Sequence, residues 1–387
     1  MLWLCWAGAM CPAHLSACRY NVRDLGFVDL GEGTYTLFCY YGTETSPARA
    51  AQIVELARAT FRDANLQAVV LPAAQRTNEA ARKYLASAPA QALPVAVLVS
   101  PEEQTLPLTL GGAGEPTRRD WLGAFERSVA SPTREELLRV VSRAFAAVLL
   151  IEGAEPDANQ RARSAIAAGI ELVRSRMNSL PKAISEPPGL VVLASGAFSA
   201  EKVLLWSLGL PGGLPAQPIA AVVYGKARWI GPLMKGNEIT EANVNGILSF
   251  IGADCECGLD VSWTQGTRLP VRWDSSLHAQ AAKSLGFDPE SPLVKLEATR
   301  ILERGANPRA VRSPEATAAA RPGDDAQDAT TENLRATRLA GPVAVLSDVA
   351  GAARTASPLR VLGLAGAAVL VASAGLLAFM RFTGRKR

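Results

Sequence analysis

The sequence has few of the side chains that metal centres and catalytic triads require. It contains two histidines and six cysteines in 387 residues, and it has no Gly-x-Ser-x-Gly sequence. One histidine, His14, lies in a predicted leader peptide, which leaves His278 for the folded part. A tetrahedral zinc site and a serine hydrolase both need more than this. The sequence therefore predicts no cofactor and favours a protein that is not an enzyme.

An excess of charge of one sign is missing as well. Lys and Arg number 40 and Asp and Glu number 36, which gives a net charge of +4. Four of the basic residues fall within the last seven positions, so the rest of the chain is neutral. Because nucleic acids are bound through clustered Lys and Arg, we expect no nucleic-acid partner.

A long apolar run near the C-terminus predicts one membrane-spanning helix. Residues 361–380 contain no charge and no proline. A helix of that length spans the hydrocarbon core of a bilayer, which is ~30 Å thick. The basic tail at 381–387 follows directly, so the positive-inside rule places this tail in the cytoplasm and the preceding chain outside. The sequence therefore predicts a single-pass type I membrane protein with its helix at 359–380.

The N-terminus resembles an export signal. Residues 1–10 form a short apolar run, and residues 15–18 read Leu-Ser-Ala-Cys, which is similar to the bacterial lipobox whose cysteine is lipidated. No Lys or Arg precedes Arg19, so the usual positive region at the start of a signal is missing. We predict a signal peptide at 1–18, Cys18 as a lipidation candidate, and a bacterial membrane in the cell envelope as the location.

Residues 303–358 have the composition of a flexible stalk. This segment is rich in Ala, Arg, Pro, Asp and Thr and shows no sustained apolar period. It cannot bury enough apolar surface to offset the entropy lost on ordering. We expect it to hold the folded part away from the bilayer.

Between residues 34 and 254 one order of predicted elements occurs twice. The first copy gives a strand at 34–41, a helix after Ser46, a strand at 66–71, a helix at 78–88, a hairpin after Pro94 and a helix from Trp121. The second copy gives a strand at 146–151, a helix from about 157, a strand at 190–194, a helix at 200–208, a hairpin after Pro218 and a helix from Thr240.

This order resembles the thioredoxin-like superfamily, twice over. Leu93-Pro94 and Gln217-Pro218 stand where that family carries a cis-proline before its third strand. The resemblance implies an α/β fold with two tandem modules and makes these four residues candidates for binding. The modules cover 34–144 and 145–254.

The redox site of that family is missing from both copies. Thioredoxins carry Cys-x-x-Cys where the first strand meets the first helix, because the helix N-terminus lowers the thiol pKa. The corresponding segments, 42–47 and 153–157, include no cysteine. Cys39 precedes the first of them inside an apolar strand, where we expect an inert buried thiol. The resemblance thus implies non-catalytic modules that bind or hold other proteins.

Cys255 and Cys257 form the one compact group of chemically active side chains in the sequence. They could form a strained, easily reduced disulfide, or bind a soft ion such as Cu(I). They could instead pair with Cys39 or Cys18 as structural disulfides in an oxidising compartment. The sequence leaves these alternatives open.

Two further segments each have two interpretations. The arm at 19–33 mixes charged and aromatic residues, and it is either a docking strip for a partner or a segment packed on the first module. The extension at 255–302 ends in one or two predicted helices and carries Trp and Arg residues that are either interface hot spots or caps of a core. Those residues are Trp263, Arg268, Arg272 and Trp273.

Together these features predict a membrane-anchored, extracytoplasmic protein-binding adaptor or accessory subunit. Its partner would be a protein of a membrane or exported complex. The alternative is a thiol-disulfide exchange or copper-handling protein that uses Cys255 and Cys257, and a purely structural cell-envelope protein is a third possibility.

Overall fold

The computed structural model describes residues 19–306, apart from 32, 75–78, 89–92, 111–114, 181, 183, 185 and 254–265. The predicted signal peptide, nearly all of the predicted stalk, the predicted membrane helix and the basic tail lie outside these residues. Within the part that is described, no helix is long and apolar enough to cross a membrane.

The described residues contain nine strands and ten α-helices. The strands are β1 (Tyr35–Tyr41), β2 (Leu66–Pro72), β3 (Val95–Val99), β4 (Thr105–Leu108), β5 (Ala147–Ile151), β6 (Gly189–Leu193), β7 (Ile219–Tyr224), β8 (Arg228–Lys235) and β9 (Thr267–Arg268). The helices are α1 (Val22–Phe27), α2 (Pro47–Phe61), α3 (Glu79–Leu85), α4 (Arg118–Val129), α5 (Pro132–Val141), α6 (Pro156–Arg176), α7 (Lys202–Ser207), α8 (Glu241–Ile251), α9 (Ser275–Leu285) and α10 (Pro292–Ala306).

The strands form two mixed sheets of one design. The first sheet has the order β2-β1-β3-β4, with β1 parallel to β2 and antiparallel to β3, and with β3 antiparallel to β4. The second has the order β6-β5-β7-β8-β9 and repeats these pairings, with β9 added beside β8. In each, a parallel β-α-β unit is followed by a helix, an antiparallel hairpin and another helix. This arrangement confirms the predicted α/β class with two sheets, and its strand order fits thioredoxin-like domains.

Strand β5, an interior strand of the second sheet, is buried on both faces. Its side chains alternate between two cores, with Ala147, Leu149 and Ile151 in one and Val148 and Leu150 in the other. Helices cover both faces of this sheet, so the strand is marked by a continuous apolar run rather than by an alternating pattern. That run predicts the position of β5 from the sequence.

Short polar caps set the starts of several helices. Ser46 Oγ accepts a hydrogen bond from the amide of Arg49 at 3.2 Å, and Pro47 follows it in the first turn of α2. Thr117 and Asp120 bond reciprocally at the start of α4, with Thr117 N donating to the carboxylate at 2.7 Å. Such side chains satisfy amides that have no partner inside the helix, so these starts are local properties of the sequence.

The predicted boundary between the modules at 144/145 does not match the packing. Helix α5 was not predicted, although Ser131-Pro132 is a typical helix start. Its residues Leu137, Leu138 and Val141 belong to a core of the second sheet. The segment at 132–141 therefore packs with the second module, because its apolar face covers β5 and β6 rather than the first sheet.

The N-terminal arm packs on the second module, so the interpretation that placed it on the first is wrong. All six residues of α1 are buried. Val22 N donates to Ala253 O at 3.1 Å, and Lys226 N donates to Gly26 O at 2.9 Å. Gly26 itself lies against the ring of Tyr224, where a Cβ would come within 2.4 Å of a ring carbon. This close approach of two backbones fixes the arm across the β7–β8 turn.

The extension continues as a strap between the two sheets, defined as residues 266–274. It pairs with β8 through β9, and on the other side Tyr35 Oη donates to Arg268 O at 2.9 Å. Trp273 N donates to Asp63 O at 2.6 Å. Two helices follow, as the sequence allowed, and α10 continues to Ala306, beyond residue 303 where the stalk was predicted to begin.

Candidate functional site

The carboxyl end of β5 opens into a cavity of about 330 Å³ in the second module. One wall is the loop at 209–218, called here the proline–glycine loop. The other walls are apolar side chains from the central strands, α7 and the short 3₁₀ helix before it, namely Ile151, Phe198, Leu205 and Ile219. Gln217 and Lys235 are the two polar members of the lining.

The proline–glycine loop is held by the turn that follows β5. Ala154 N donates to Pro215 O at 2.9 Å. Gly153 lies against the backbone of Gln217, where a Cβ would come within 2.5 Å of the carbonyl carbon, so the site requires glycine. Asn159 fixes Gly153 from the other side, because its side-chain amide donates to the glycine carbonyl at 2.9 Å and its oxygen accepts from the glycine amide at 2.8 Å. The cavity wall is therefore preorganised by buried backbone contacts.

Gln217 and Lys235 lie at the polar side of the cavity. The side chain of Gln217 packs on Gly236, where a Cβ would come within 2.1 Å of Oε1. Gly236 N donates to Pro218 O at 2.8 Å, which joins the end of β8 to the start of β7. Lys235 is exposed, and its Nζ forms no ion pair with any residue that the structure describes.

Nearby carboxylates already have donors. Glu152 Oε1 accepts from Arg163 at 2.6 Å, and a weaker contact joins its other oxygen to Ser195 N at 3.4 Å. Glu238 Oε2 accepts from the backbone amide of Lys235 at 2.9 Å. Lys235 is thus a residue of this mainly apolar lining, and its side chain has no counter-ion among the described residues.

The first module has a different surface at the corresponding place. Where β1 meets α2, an open cleft is lined by polar and charged side chains, among them Glu44, Arg49, Glu115 and Arg118. The Arg49 guanidinium donates to Pro116 O at 2.7 Å, which ties α2 to the start of α4. Because acids and bases mix here and no apolar wall is present in this cleft, the two modules do not offer equivalent sites.

The structure brings together only part of the predicted binding set. Gln217 lines the cavity. Pro218 follows it in the chain, is not part of the lining, and accepts a hydrogen bond from Gly236 N. Leu93 and Pro94 belong to the first module and line neither the cavity nor the polar cleft, although Leu93 is exposed. The Leu93–Pro94 bond is cis, whereas the Gln217–Pro218 bond is not. The cis-proline that the resemblance implied for both modules is therefore present in the first module only.

The cysteines differ in what the structure shows of them. Cys39 carries a free thiol that is fully buried in β1, so a structural disulfide from Cys255 or Cys257 to Cys39 is not formed. Burial raises the pKa of this thiol far above its usual range, which keeps it protonated and unreactive. Cys18, Cys255 and Cys257 lie outside the described residues, and the predictions about them stay predictions.

Neither a metal site nor an arginine–tryptophan interface emerges from the described part of the chain. No group of three or more His, Cys, Asp and Glu side chains there could hold a metal ion. Trp273 is buried and makes an edge contact with Phe27, with ring centroids 6.0 Å apart. Arg268 is buried and Arg272 pairs with Glu126 at 2.8 Å, so these residues support the core instead of a partner surface. Trp263 lies outside the described residues.

Sequence reasoning missed most of the cavity lining. Phe198, Leu205 and Lys235 come from three separate elements and carry no shared motif. The one local signal was the run of prolines and glycines at 209–218, which is typical of a loop between a helix and a strand. The apolar residues of this loop could have indicated one wall of a site, but not the cavity that the wall encloses.

No family model matches the chain, and no curated protein matches it. Among solved structures, it is similar at 9% identity to the first two thioredoxin domains of Saccharomyces cerevisiae Eps1p, with a TM-score of 0.20 over 57% of this chain and 94% of that one. Human ERp44 in its zinc-bound form matches at 9% identity and a TM-score of 0.21, over 61% of each chain. The first two thioredoxin domains of Naumovozyma dairenensis Eps1p match at 9% identity and a TM-score of 0.18, over 54% of this chain and 87% of that one.

Proposed function

We propose that the protein is a non-catalytic binding adaptor whose second module receives an apolar segment of a partner protein. The observation that carries this proposal is the apolar cavity at the carboxyl end of β5, beside Gln217. Concave apolar surfaces with a few polar groups at the edge are the usual form of a binding site. The first module, with its polar cleft, would serve as a scaffold or bind a different surface.

The absence of a thiol at either strand–helix junction supports a non-redox role. The segments at 42–46 and 152–155, which join β1 to α2 and β5 to α6, contain no cysteine. Cys39 is the nearest thiol to the first junction, and its burial keeps it from acting as a nucleophile. We propose that both modules are redox-inactive and that membrane attachment comes from the predicted helix at 359–380.

Two neighbouring glycines allow a sharp test of the cavity. Gly213 lines the cavity and Gly212 does not, and a Cβ added at either would meet no atom within 4 Å. We expect Gly213→Trp to occupy the cavity mouth and to weaken binding of apolar fluorescent peptides by about tenfold or more, as filling a small apolar site should. Fluorescence anisotropy with matched apolar and polar peptides measures this.

Gly212→Trp is the matched control, because it adds the same indole to the same loop outside the cavity. It should bind the apolar peptides as the unmodified protein does, and both variants should keep the same thermal midpoint. Equal loss of binding in the two variants, or no preference of the unmodified protein for apolar peptides, would contradict the proposed function.

The alternative role in thiol exchange or copper binding stays a prediction from Cys255 and Cys257. Copper binding or disulfide exchange that survives their joint replacement by serine would rule it out.

A further inference from the structure

We infer that the cavity of the second module binds the C-terminal residue of a partner polypeptide, with the apolar side chain inside and the terminal carboxylate on Lys235. This rests on the proposed function and adds the chemical class of the ligand. The juxtaposition that carries it is Lys235, without a described counter-ion, next to Gln217 on the lining of a cavity whose other side chains are apolar.

The volume of the cavity limits what it can hold. Small-molecule sites in proteins measure roughly 300–1,000 Å³, and this one, at about 330 Å³, lies at the lower end. It therefore accommodates one or two large apolar side chains, not a long stretch of chain. The side chains of Phe198, Leu205 and Ile219 offer such a group apolar contacts on several sides.

The charge balance of the site favours an anionic ligand. Glu152 is paired with Arg163 at 2.6 Å, and Glu238 contacts the backbone amide of Lys235 and forms no ion pair with its ammonium. A carboxylate brought to Lys235 would form a charge-assisted hydrogen bond next to apolar walls, where the lower local dielectric strengthens it. The Gln217 amide, on the same side of the cavity, can donate to a second oxygen.

The C-terminal residue of a chain supplies both an apolar side chain for the cavity and a negative charge for Lys235. An internal apolar residue has no charge, and in an aspartate or glutamate the charge replaces the apolar group that the cavity would hold. The last residue of a chain carries its side chain and its carboxylate on the same Cα, so the two can reach the apolar wall and Lys235 together. A fatty acid shares this chemistry, and the experiment below separates it from a peptide.

The test compares two short fluorescent peptides that both end in phenylalanine and leucine, one as the free acid and one as the amide. We expect the acid to bind the full-length protein about tenfold more tightly, the effect of one charge-assisted contact. Lys235→Gln should abolish this difference by weakening binding of the acid, and Lys235→Arg should retain it. Lys202→Gln, which removes an exposed lysine of α7 outside the lining, is the control and should behave like the unmodified protein.

Three outcomes would overturn the inference in distinguishable ways. Equal binding of acid and amide would reject the carboxylate contact but leave the apolar site intact. No binding of either peptide would reject the proposed function as well. Displacement of the acid peptide by dodecanoate at far lower concentrations than by an unlabelled copy of the peptide would reject a polypeptide terminus as the occupant.

Discussion

At the scale of single residues, Arg134 shows how a charged side chain can organise a junction. It is buried, and its guanidinium donates five hydrogen bonds, to Ser131 Oγ and to the carbonyl oxygens of Arg127, Ser128, Ala130 and Pro270. The carbonyls of Arg127, Ser128 and Ala130 lie at the C-terminal end of α4, where the last carbonyl groups of a helix have no partner inside it.

Burial lowers the pKa of Arg134 to about 10, while the nearby Glu201 opposes that shift, so the side chain remains a cation at neutral pH. Glu201 completes the cluster by accepting from Ser131 Oγ at 2.5 Å and from Thr133 N at 2.8 Å. One cation thus joins the end of α4 in the first module, the start of α5 in the second, and the strap.

We predict that Arg134→Met lowers the free energy of unfolding by roughly 3 kcal/mol or more, because it leaves buried carbonyls and Glu201 without their cation. Urea denaturation measures the change. Arg139→Met, on the exposed face of the same helix, should change it by no more than about 0.5 kcal/mol. A small effect at Arg134, equal to that at Arg139, would show that the junction does not depend on this residue.

At the scale of elements, an ion-pair network holds the arm to the second module. Asp29 follows α1 and accepts from Arg268 at 2.7 Å and from Lys226 at 3.3 Å. Lys226 also donates to Glu290 at 2.6 Å, and Lys295 pairs with the same carboxylate at 2.5 Å. The arm, the β7–β8 turn, the strap, the α9–α10 loop and α10 therefore meet at one partly buried cluster.

The pKa of Asp29 follows from this cluster. Burial by itself would raise it, but the positive charges of Arg268 and Lys226 outweigh that effect and hold the pKa well below its usual range. A carboxylate whose pKa is lower in the folded state stabilises the fold above its ordinary pKa and loses that contribution as the pH falls through the folded value.

Asp29→Asn should therefore lower the free energy of unfolding by roughly 2 kcal/mol near neutral pH, since hydrogen bonds to charged groups are worth about that much. The difference in free energy of unfolding between the unmodified protein and the variant should narrow as the pH falls below about 4, where the carboxyl group of the unfolded chain becomes protonated. Urea unfolding across that pH range checks this. Asp63 has an exposed carboxylate, so Asp63→Asn should leave the free energy of unfolding unchanged across this pH range. If the loss of stability in Asp29→Asn were constant with pH, the lowered pKa of Asp29 would be contradicted.

At the scale of the whole molecule, the strap makes the two modules interdependent. Asn65 lies at the end of the first module's α2–β2 turn, and its side chain donates to Gly33 O and Leu269 O and accepts from Val271 N at 2.9 Å. Arg272 N donates to Val129 O at 3.1 Å on the same side. The described residues thus belong to one compact unit, in which the extension is part of the fold.

The predicted attachment to a membrane also concerns the whole chain. We expect the full-length protein to stay with membranes after an alkaline carbonate wash, because a helix of about 20 apolar residues spans the hydrocarbon core. A variant lacking residues 359–387 should move to the soluble fraction, whereas one lacking only 381–387 should stay. Release of the full-length protein by the wash would contradict the predicted helix.

The sequence by itself determined the order of most strands and helices, though not α5, and the absence of cysteine at the two strand–helix junctions. These follow from local causes, such as the apolar run of β5, the caps at Ser46 and Thr117, and the glycine at 153. Patterns of that kind depend on neighbouring residues, so they can be read without knowing what packs against them.

Only the tertiary structure decided where the arm packs, what Arg134 does and where the cavity lies. Each depends on residues far apart in the chain, such as Arg134 with Pro270, Asp29 with Lys226, and Ile151 with Lys235. The cavity joins the ends of separate elements, and Lys235 in a strand looks like any exposed lysine until the apolar wall beside it is known. Spatial proximity between distant segments leaves no periodic trace in the sequence, and that is why the site emerged only from the fold.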